Sequence, residues 1–438
     1  MLKKIFSAFL IICLILSSVT TVSAYEPSGI EITAKAALLV SLDTGEVLFE
    51  KNADEKVYPA SITKIMTTLL ILESEKYNPE AKIAMTQDVL DLISGTGSSV
   101  SLLKAGEEVS QLDLVYMVLM ASYGDCALLA AIYYGGSIEN FVNMMNKRAA
   151  ELGLSGTHYE NPIGLHHEQN YTTARDTYTL AATALQNETF KEVCSSTRHT
   201  VETSMSGERT ISTTNFLQDN TTNYYYQYAK GVKTGYTDEA GRCLVSTASY
   251  NGYRYLCTVF GCPANEKKHF TESKELYRWA FNNFEFKKVA DNSNPVAEIG
   301  VNLSLDTDFV SLYIEKSFVS VLPKDADDST ISIVTHLVGE SVDAPIKKGD
   351  VLGTADIIYA EEVIGTVNLV SNEDVEKSTM LAALRAIKNF FASSYMKVVY
   401  VIIAAAILIF IIAVIKMNSK GSKKRKIKYV PYDKDEKR

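Results

Sequence analysis

The sequence predicts an α/β (α+β) domain over residues 31–284, a small all-β domain over 285–376 and one C-terminal transmembrane helix over 398–415. Three observations lead there. Strand patterns at both ends of the first region enclose long apolar helical stretches. Helical periodicity then stops at Phe286 and gives way to short β-rich runs separated by Gly, Pro and Asp. Finally, Val398 to Ile415 is an unbroken apolar run of 18 residues. As a helix it covers about 27 Å, enough for a hydrocarbon core. A length of 438 residues suits two or three domains, and 47% apolar with 22% charged residues is the mix of a chain with a packed core.

The elements follow in chain order. Residues 1–24 carry basic Lys3 and Lys4, a short apolar run from Ile5 to Leu16 and a small-residue end at Val22-Ser23-Ala24, the pattern of a cleaved export signal. Ala36 to Lys51 alternates around Asp43-Thr44-Gly45 and reads as a β-hairpin. A second D-T-G, which aspartic-protease chemistry needs, is absent. Pro59 to Glu73, Leu112 to Tyr134 and Ile138 to Leu152 read as helices. Gly241 to Gly261 reads as two strands turning at Asn251-Gly252, and Glu272 to Phe284 as a further helix. Beyond it, Phe309–Ile314, Ile331–Leu337, Asp356–Tyr359 and Val363–Val370 read as strands. Residues 377–397 form an amphipathic linker, with Leu381, Leu384, Ala386, Ile387 and Phe391 on one helical face. Lys416, Lys420, Lys423, Lys424, Arg425, Lys426 and Lys428 follow the apolar run, so residues 416–438 form a basic cytoplasmic tail and the body lies outside the cytoplasm.

The net charge of −9 is unevenly spread. Both ends are basic, so the body between them is more acidic than the total. An acidic body argues against nucleic acid as a partner. Past Cys13 the chain holds Cys126, Cys194, Cys243, Cys257 and Cys262, an odd number with no C-x-x-C spacing. One thiol at least is then unpaired within the chain, a zinc site is not indicated, and the pairing of Cys257 with Cys262 stays open. His158, His166, His167 and His199 show no ligand spacing and read as structural or exposed. No H-E-x-x-H, G-x-S-x-G, Walker loop or G-x-G-x-x-G is present.

Ser61-Ile62-Thr63-Lys64 stands at the start of a predicted helix, with Ser61 and Lys64 one turn apart on one face. A serine hydroxyl needs a neighbour to take its proton, and a lysine made neutral by burial can do so. The helix N-terminus favours the negative charge of a tetrahedral oxyanion. Ser122-Tyr123-Gly124 and Lys233-Thr234-Gly235 follow. The chain order S-x-x-K, Ser, K-T-G is that of penicillin-binding proteins and serine β-lactamases.

Longer stretches carry the resemblance further. Pro59 to Thr67, Gly97-Ser98-Ser99, Asn161 to Leu165, Tyr171 to Asp176, Gly231 to Gly241 and Ala344 to Gly353 resemble the low-molecular-mass penicillin-binding proteins, the serine-type D-alanyl-D-alanine carboxypeptidases. The resemblance covers about residues 31–376. It implies a serine DD-peptidase/β-lactamase-like domain with a five-stranded sheet, followed by a β-sandwich. It also implies removal of the terminal D-alanine of peptidoglycan pentapeptides through an acyl-serine, without metal or organic cofactor, and with β-lactams as covalent inhibitors. Ser61 then resembles the nucleophile, Lys64 its general base and Ser122 the hydroxyl relaying a proton to the leaving amine. Lys233 and Thr234 resemble the residues that bind the substrate's terminal carboxylate, and the N–H groups of Ser61 and Tyr236 the oxyanion hole.

The second motif departs from the family pattern, with Gly124 where Asn is usual, an Asn that contacts the substrate amide and the lysine. Asp125 is the nearby candidate substitute. Gly124 motivates an alternative reading as a catalytically weakened wall-binding or scaffold protein. A DD-endopeptidase would use identical chemistry. A β-lactamase lacks support, because no E-x-x-x-N segment lies between the second and third motifs.

Overall fold

The computed structural model describes residues 30–420. The expected export signal at 1–24 and the tail beyond Lys420 lie outside the described residues. The hairpin read around Asp43 forms as β1 (Ala36–Ser41) and β2 (Val47–Lys51). Two short ribbons follow, β3 (Lys82–Ala84) with β4 (Glu108–Ser110) and β5 (Arg198–Thr203) with β6 (Gly207–Ser212). Then come β7 (Ala229–Thr237), β8 (Gly241–Tyr250) and β9 (Tyr253–Cys262). The main sheet has the order β2-β1-β9-β8-β7, and every neighbouring pair is antiparallel.

Both faces of this sheet are covered, which explains why all six residues of β1 are buried. The period of two sorts them. Ala36, Leu38 and Val40 enter a core shared with the helices between β2 and β5. Ala37 and Leu39 enter a second core against helix Lys268–Asn283, with Leu276, Tyr277 and Ala280. Helix Lys64–Glu73 runs through the first core with residues Lys64 to Ile71 all buried. A helix apolar on every side belongs in an interior.

The structure differs from the sequence reading in its second long helix and answers one question left open. The stretch from Leu112 to Tyr134 is two helices, Gln111–Leu119 and Gly124–Gly135. The chain reverses between them through Ser122 at φ +67°. That left-handed conformation is disfavoured for a residue with a Cβ and ends helical geometry locally. The open cysteine question is also resolved, since all five described thiols are free and buried. Cys257 and Cys262 lie on one strand, five positions apart, which separates them by about 16 Å, beyond disulfide reach.

Residues 284–371 supply β10 (Phe284–Ala290), β11 (Pro295–Asn302), β12 (Phe309–Ile314), β13 (Phe318–Pro323), β14 (Ile331–Leu337), β15 (Ser341–Asp343), β16 (Val351–Tyr359) and β17 (Glu362–Ser371). β10 pairs with β13, and the others form a sheet of order β14-β16-β17-β12-β11-β15. By proximity the chain divides into two units. One runs to Asp291 and takes in Ser317–Ile333 and Asp356–Thr366; the other holds Asn292–Lys316, Val334–Ala355 and the chain from Val367 on. Helix Thr379–Ala392, capped by the Ser378 hydroxyl, precedes helix Ser394–Lys420. Within the latter, Ser394–Met417 is long and apolar enough to cross a membrane.

A buried charge braces the first unit. Glu107 accepts from the N–H groups of Lys104 at 2.9 Å and Ser206 at 3.0 Å, and lies 3.7 Å from Arg209. Burial pushes its carboxyl pKa up, but these N–H groups and the hydroxyls of Thr203 and Ser206 outweigh burial and hold it at about 2. The folded pKa is depressed, so the stabilisation is present above the usual carboxylate range and is lost as pH falls towards 2. Glu107→Gln should cost about 3 kcal/mol at pH 7, read as a lower midpoint in urea unfolding. An unchanged midpoint would remove Glu107 as a brace.

Candidate active site

Ser61 sits in the 3-10 turn Ala60–Thr63, which runs directly into helix Lys64–Glu73. Residues three apart eclipse in such a turn, so the Lys64 side chain returns to Ser61. Its Nζ donates to Ser61 Oγ at 3.0 Å and to the Ile163 carbonyl at 2.6 Å. Lys64 is wholly buried. Burial lowers its pKa from the ordinary lysine range to about 7, even though the Asp125 charge pulls the other way. At neutral pH a substantial fraction of the amine is therefore free to take a proton from Ser61.

The loop that receives Lys64 is built by Asn161. Its Oδ1 accepts from the N–H groups of Ile163, Gly164 and Leu165 at 3.3, 2.7 and 2.9 Å. Thr67 Oγ1 donates to the Pro162 carbonyl at 2.6 Å and pins the loop to the helix. Gly164 has φ +82°, and a Cβ there would stand 1.8 Å from the Ala60 carbonyl oxygen. Gly164→Ala should displace the Ser61 turn and reduce turnover at least about 100-fold. Steady-state kinetics beside a thermal melt check this; turnover within threefold of the parent would contradict it.

On the other side β7 presses against the same turn. A Cβ on Gly235 would lie 3.0 Å from the Pro59 carbonyl oxygen and 3.2 Å from Ser61 N. Lys233, on this strand, is buried, and its Nζ donates to the Thr234 carbonyl at 2.9 Å. Burial and the neighbouring Lys64 charge push its pKa well down. Thr234 Oγ1 donates to Thr214 Oγ1 at 2.6 Å. Ser61, Ser122 and Thr234 line one cleft of about 1100 Å³. The structure thus brings Ser61, Lys64, Ser122 and Thr234 together at or beside that cleft, with Lys233 buried behind it.

Several features escaped the sequence reading. Asp125 is not a substitute for the missing Asn. Its carboxylate is buried and accepts from Ser101 N, Ser101 Oγ and Cys126 N at 2.9, 2.5 and 2.9 Å. His166, read as structural or exposed, lines the cleft. His199 fits the structural reading, bonding Asp113 at 2.6 Å. Arg242, Lys267, His269 and Phe270 also line the cleft. His269 Nδ1 is buried with no hydrogen-bonding partner among the described residues. Burial, with Arg242 and Lys267 nearby, lowers the His269 pKa to about 3, so the ring is neutral. Spacing alone gave no signal for this cluster, since it converges from two separate segments. Among the described residues no group of three or more His, Cys, Asp or Glu gathers to hold a metal.

The sheet order and the paired serine and lysine define an α/β serine DD-peptidase class of domain, and comparison with known proteins agrees. Residues 20–264 match the family D-alanyl-D-alanine carboxypeptidase, and residues 284–377 match the penicillin-binding protein 5 C-terminal domain. The D-alanyl-D-alanine carboxypeptidase DacF of Bacillus subtilis is 31% identical over 354 residues, covering 80% of this chain and 88% of that protein. DacC of Escherichia coli is 30% identical over 365 residues, covering 79% and 85%. The crystal structure of penicillin-binding protein 5 from Haemophilus influenzae superposes with a TM-score of 0.66 at 28% identity, covering 80% of this chain and all of that one. The chain belongs to the D-alanyl-D-alanine carboxypeptidase family of penicillin-binding proteins and carries that family's C-terminal β domain.

Proposed function

We propose that this protein is a serine-type D-Ala-D-Ala carboxypeptidase that removes the terminal D-alanine of peptidoglycan pentapeptides and is inhibited by β-lactams. The observation that carries the reading is the 3.0 Å contact between Ser61 Oγ and a wholly buried Lys64 amine whose pKa is about 7. In the proposed sequence Lys64 takes the Ser61 proton as Oγ attacks the penultimate D-alanine carbonyl. The oxyanion forms at the start of helix Lys64–Glu73, where the N–H groups of Ser61 and Tyr236 receive it. Ser122 passes a proton to the leaving amine, and the C–N bond breaks to give the acyl-serine and free D-alanine. Water then attacks the ester, with Lys64 again taking the proton.

A substrate ending in a free carboxylate suits this cleft. An arriving carboxylate raises the proton affinity of Lys233 and meets the hydroxyls of Thr234 and Thr214. Arg242 and Lys267 add positive charge to the cleft lining. The weakened-scaffold alternative gains no support from the amine–hydroxyl pair, which a purely binding protein has no use for.

The proposed organisation keeps 31–284 as the catalytic domain, 285–376 as the β domain, 377–397 as linker and 398–415 as the span, with the catalytic part outside the cytoplasm. Removing residues 394–438 should shift the protein from the membrane pellet to the soluble fraction; retention in the pellet would show another anchor. Catalysis is tested by treating the protein with benzylpenicillin and mapping the adduct by peptide mass spectrometry. A penicilloyl group on Ser61 is expected; no adduct, or one elsewhere, would overturn the assignment.

A further inference from the structure

The second motif has Gly124 where a side chain would face the loop Thr96–Ser99. A Cβ built on Gly124 would stand 2.2 Å from Ser98 Oγ, and 3.1 Å from both Ser98 Cβ and Ile93 Cδ1. No side chain fits at 124 while Ser98 keeps its place, so the two positions share one volume. The loop is fixed on both sides of Ser98. Thr96 Oγ1 accepts from Ser98 N at 3.3 Å and donates to the Ile93 carbonyl at 2.7 Å, and Gly124 N donates to the Ser99 carbonyl at 2.7 Å.

The Ser98 side chain lines the cleft beside Ser61 and Ser122 and is half-buried. Its hydroxyl has no hydrogen-bonding partner among the described residues. Asp125, next in sequence to Gly124, is committed to Ser101 and Cys126 and faces away from this role. A peptide acyl donor in the cleft offers an amide N–H and a carbonyl at each residue. A free hydroxyl on a fixed loop can accept from the first or donate to the second.

We infer that Ser98 is a substrate-contacting residue whose hydroxyl fills the space left by Gly124 and bonds the backbone amide of the acyl-donor peptide. The inference rests on the carboxypeptidase reading. It makes Gly124 part of a reciprocal pair, with the polar group moved from the helix start to the facing loop.

The test is Ser98→Ala, which removes one hydroxyl and introduces no clash. D-alanine release and acylation by benzylpenicillin, which carries an acylamido side chain, should both slow about tenfold. Acylation by sulbactam, which lacks that amide, should change less than about twofold, and the melting temperature should hold. Gly124→Ser alone should slow acylation further, because its Cβ meets Ser98. Combining Ser98→Gly with Gly124→Ser places the hydroxyl on the other wall and should return benzylpenicillin acylation to within about threefold of the parent. Equal rates for Ser98→Ala and parent would overturn the inference. So would an equal loss with both β-lactams, which marks a structural role. A parent chain that is acylated yet releases no D-alanine overturns the carboxypeptidase reading instead, and the acylation comparison still decides on Ser98.

Discussion

Ser61→Ala should lower D-alanine release by at least about 10⁴-fold and abolish the covalent penicillin adduct. The effect is large because the proposed reaction passes through an ester on this one oxygen, and among the described residues the Lys64 amine holds no second hydroxyl. Ser122 also lines the cleft, at φ +67° and two residues before helix Gly124–Gly135. The variant should fold normally, since Lys64 keeps its 2.6 Å bond to the Ile163 carbonyl. Rates from pre-steady-state mixing, with a matched thermal melt, separate lost chemistry from lost fold. Activity within tenfold of the parent would show that another residue is the nucleophile.

Lys64 should set the acid limb of the pH profile. With the folded pKa near 7, the neutral amine grows as pH rises through 7. The acylation rate should climb with unit slope below that point and level off about one unit above it. Lys64→Met keeps the length of the side chain and removes the base, so acylation should fall about 10³- to 10⁴-fold. Its stability should stay within about 2 kcal/mol of the parent, because an apolar group replaces a buried amine at the cost of one unsatisfied carbonyl. The sign of the linkage is definite. A lowered lysine pKa means that the unfolded chain binds more protons between pH 7 and the ordinary lysine range. The parent therefore gains stability as pH rises through that window, and Lys64→Met loses the Lys64 share of this dependence while buried Lys233 keeps its own. Lys64→Arg should be as inactive as Lys64→Met at every pH, since a guanidinium does not give up its proton. A flat acylation profile from pH 5 to 9 in the parent would remove Lys64 from the role of base.

Much of this site is legible in the sequence because its parts are local. Three-residue spacing placed Lys64 beside Ser61, and the structure brings them together through a 3-10 turn. The hairpins around Asp43 and Asn251-Gly252 form where turn chemistry predicts them, as do the four strands read beyond Phe286. What stayed hidden depends on segments distant in sequence. Nothing local shows that Ile163 holds out a carbonyl to Lys64, because that loop is shaped by Asn161 and received by a helix about 95 residues earlier. The break at Ser122 was missed because apolar residues continue on both sides of it. Asp125 has the right chemistry for the cleft, but Ser101 takes its oxygens first. His269 reaches the cleft from the first turn of helix Lys268–Asn283, ahead of the Glu272 start that the sequence suggests.

The most direct measurement is D-alanine release from a pentapeptide ending in Lys-D-Ala-D-Ala, using purified ectodomain 25–394 beside its Ser61→Ala variant. The account predicts steady release by the parent, blocked by prior penicillin treatment and absent from the variant. Folded parent protein that takes a penicillin adduct on Ser61 yet releases no D-alanine from this peptide would contradict it.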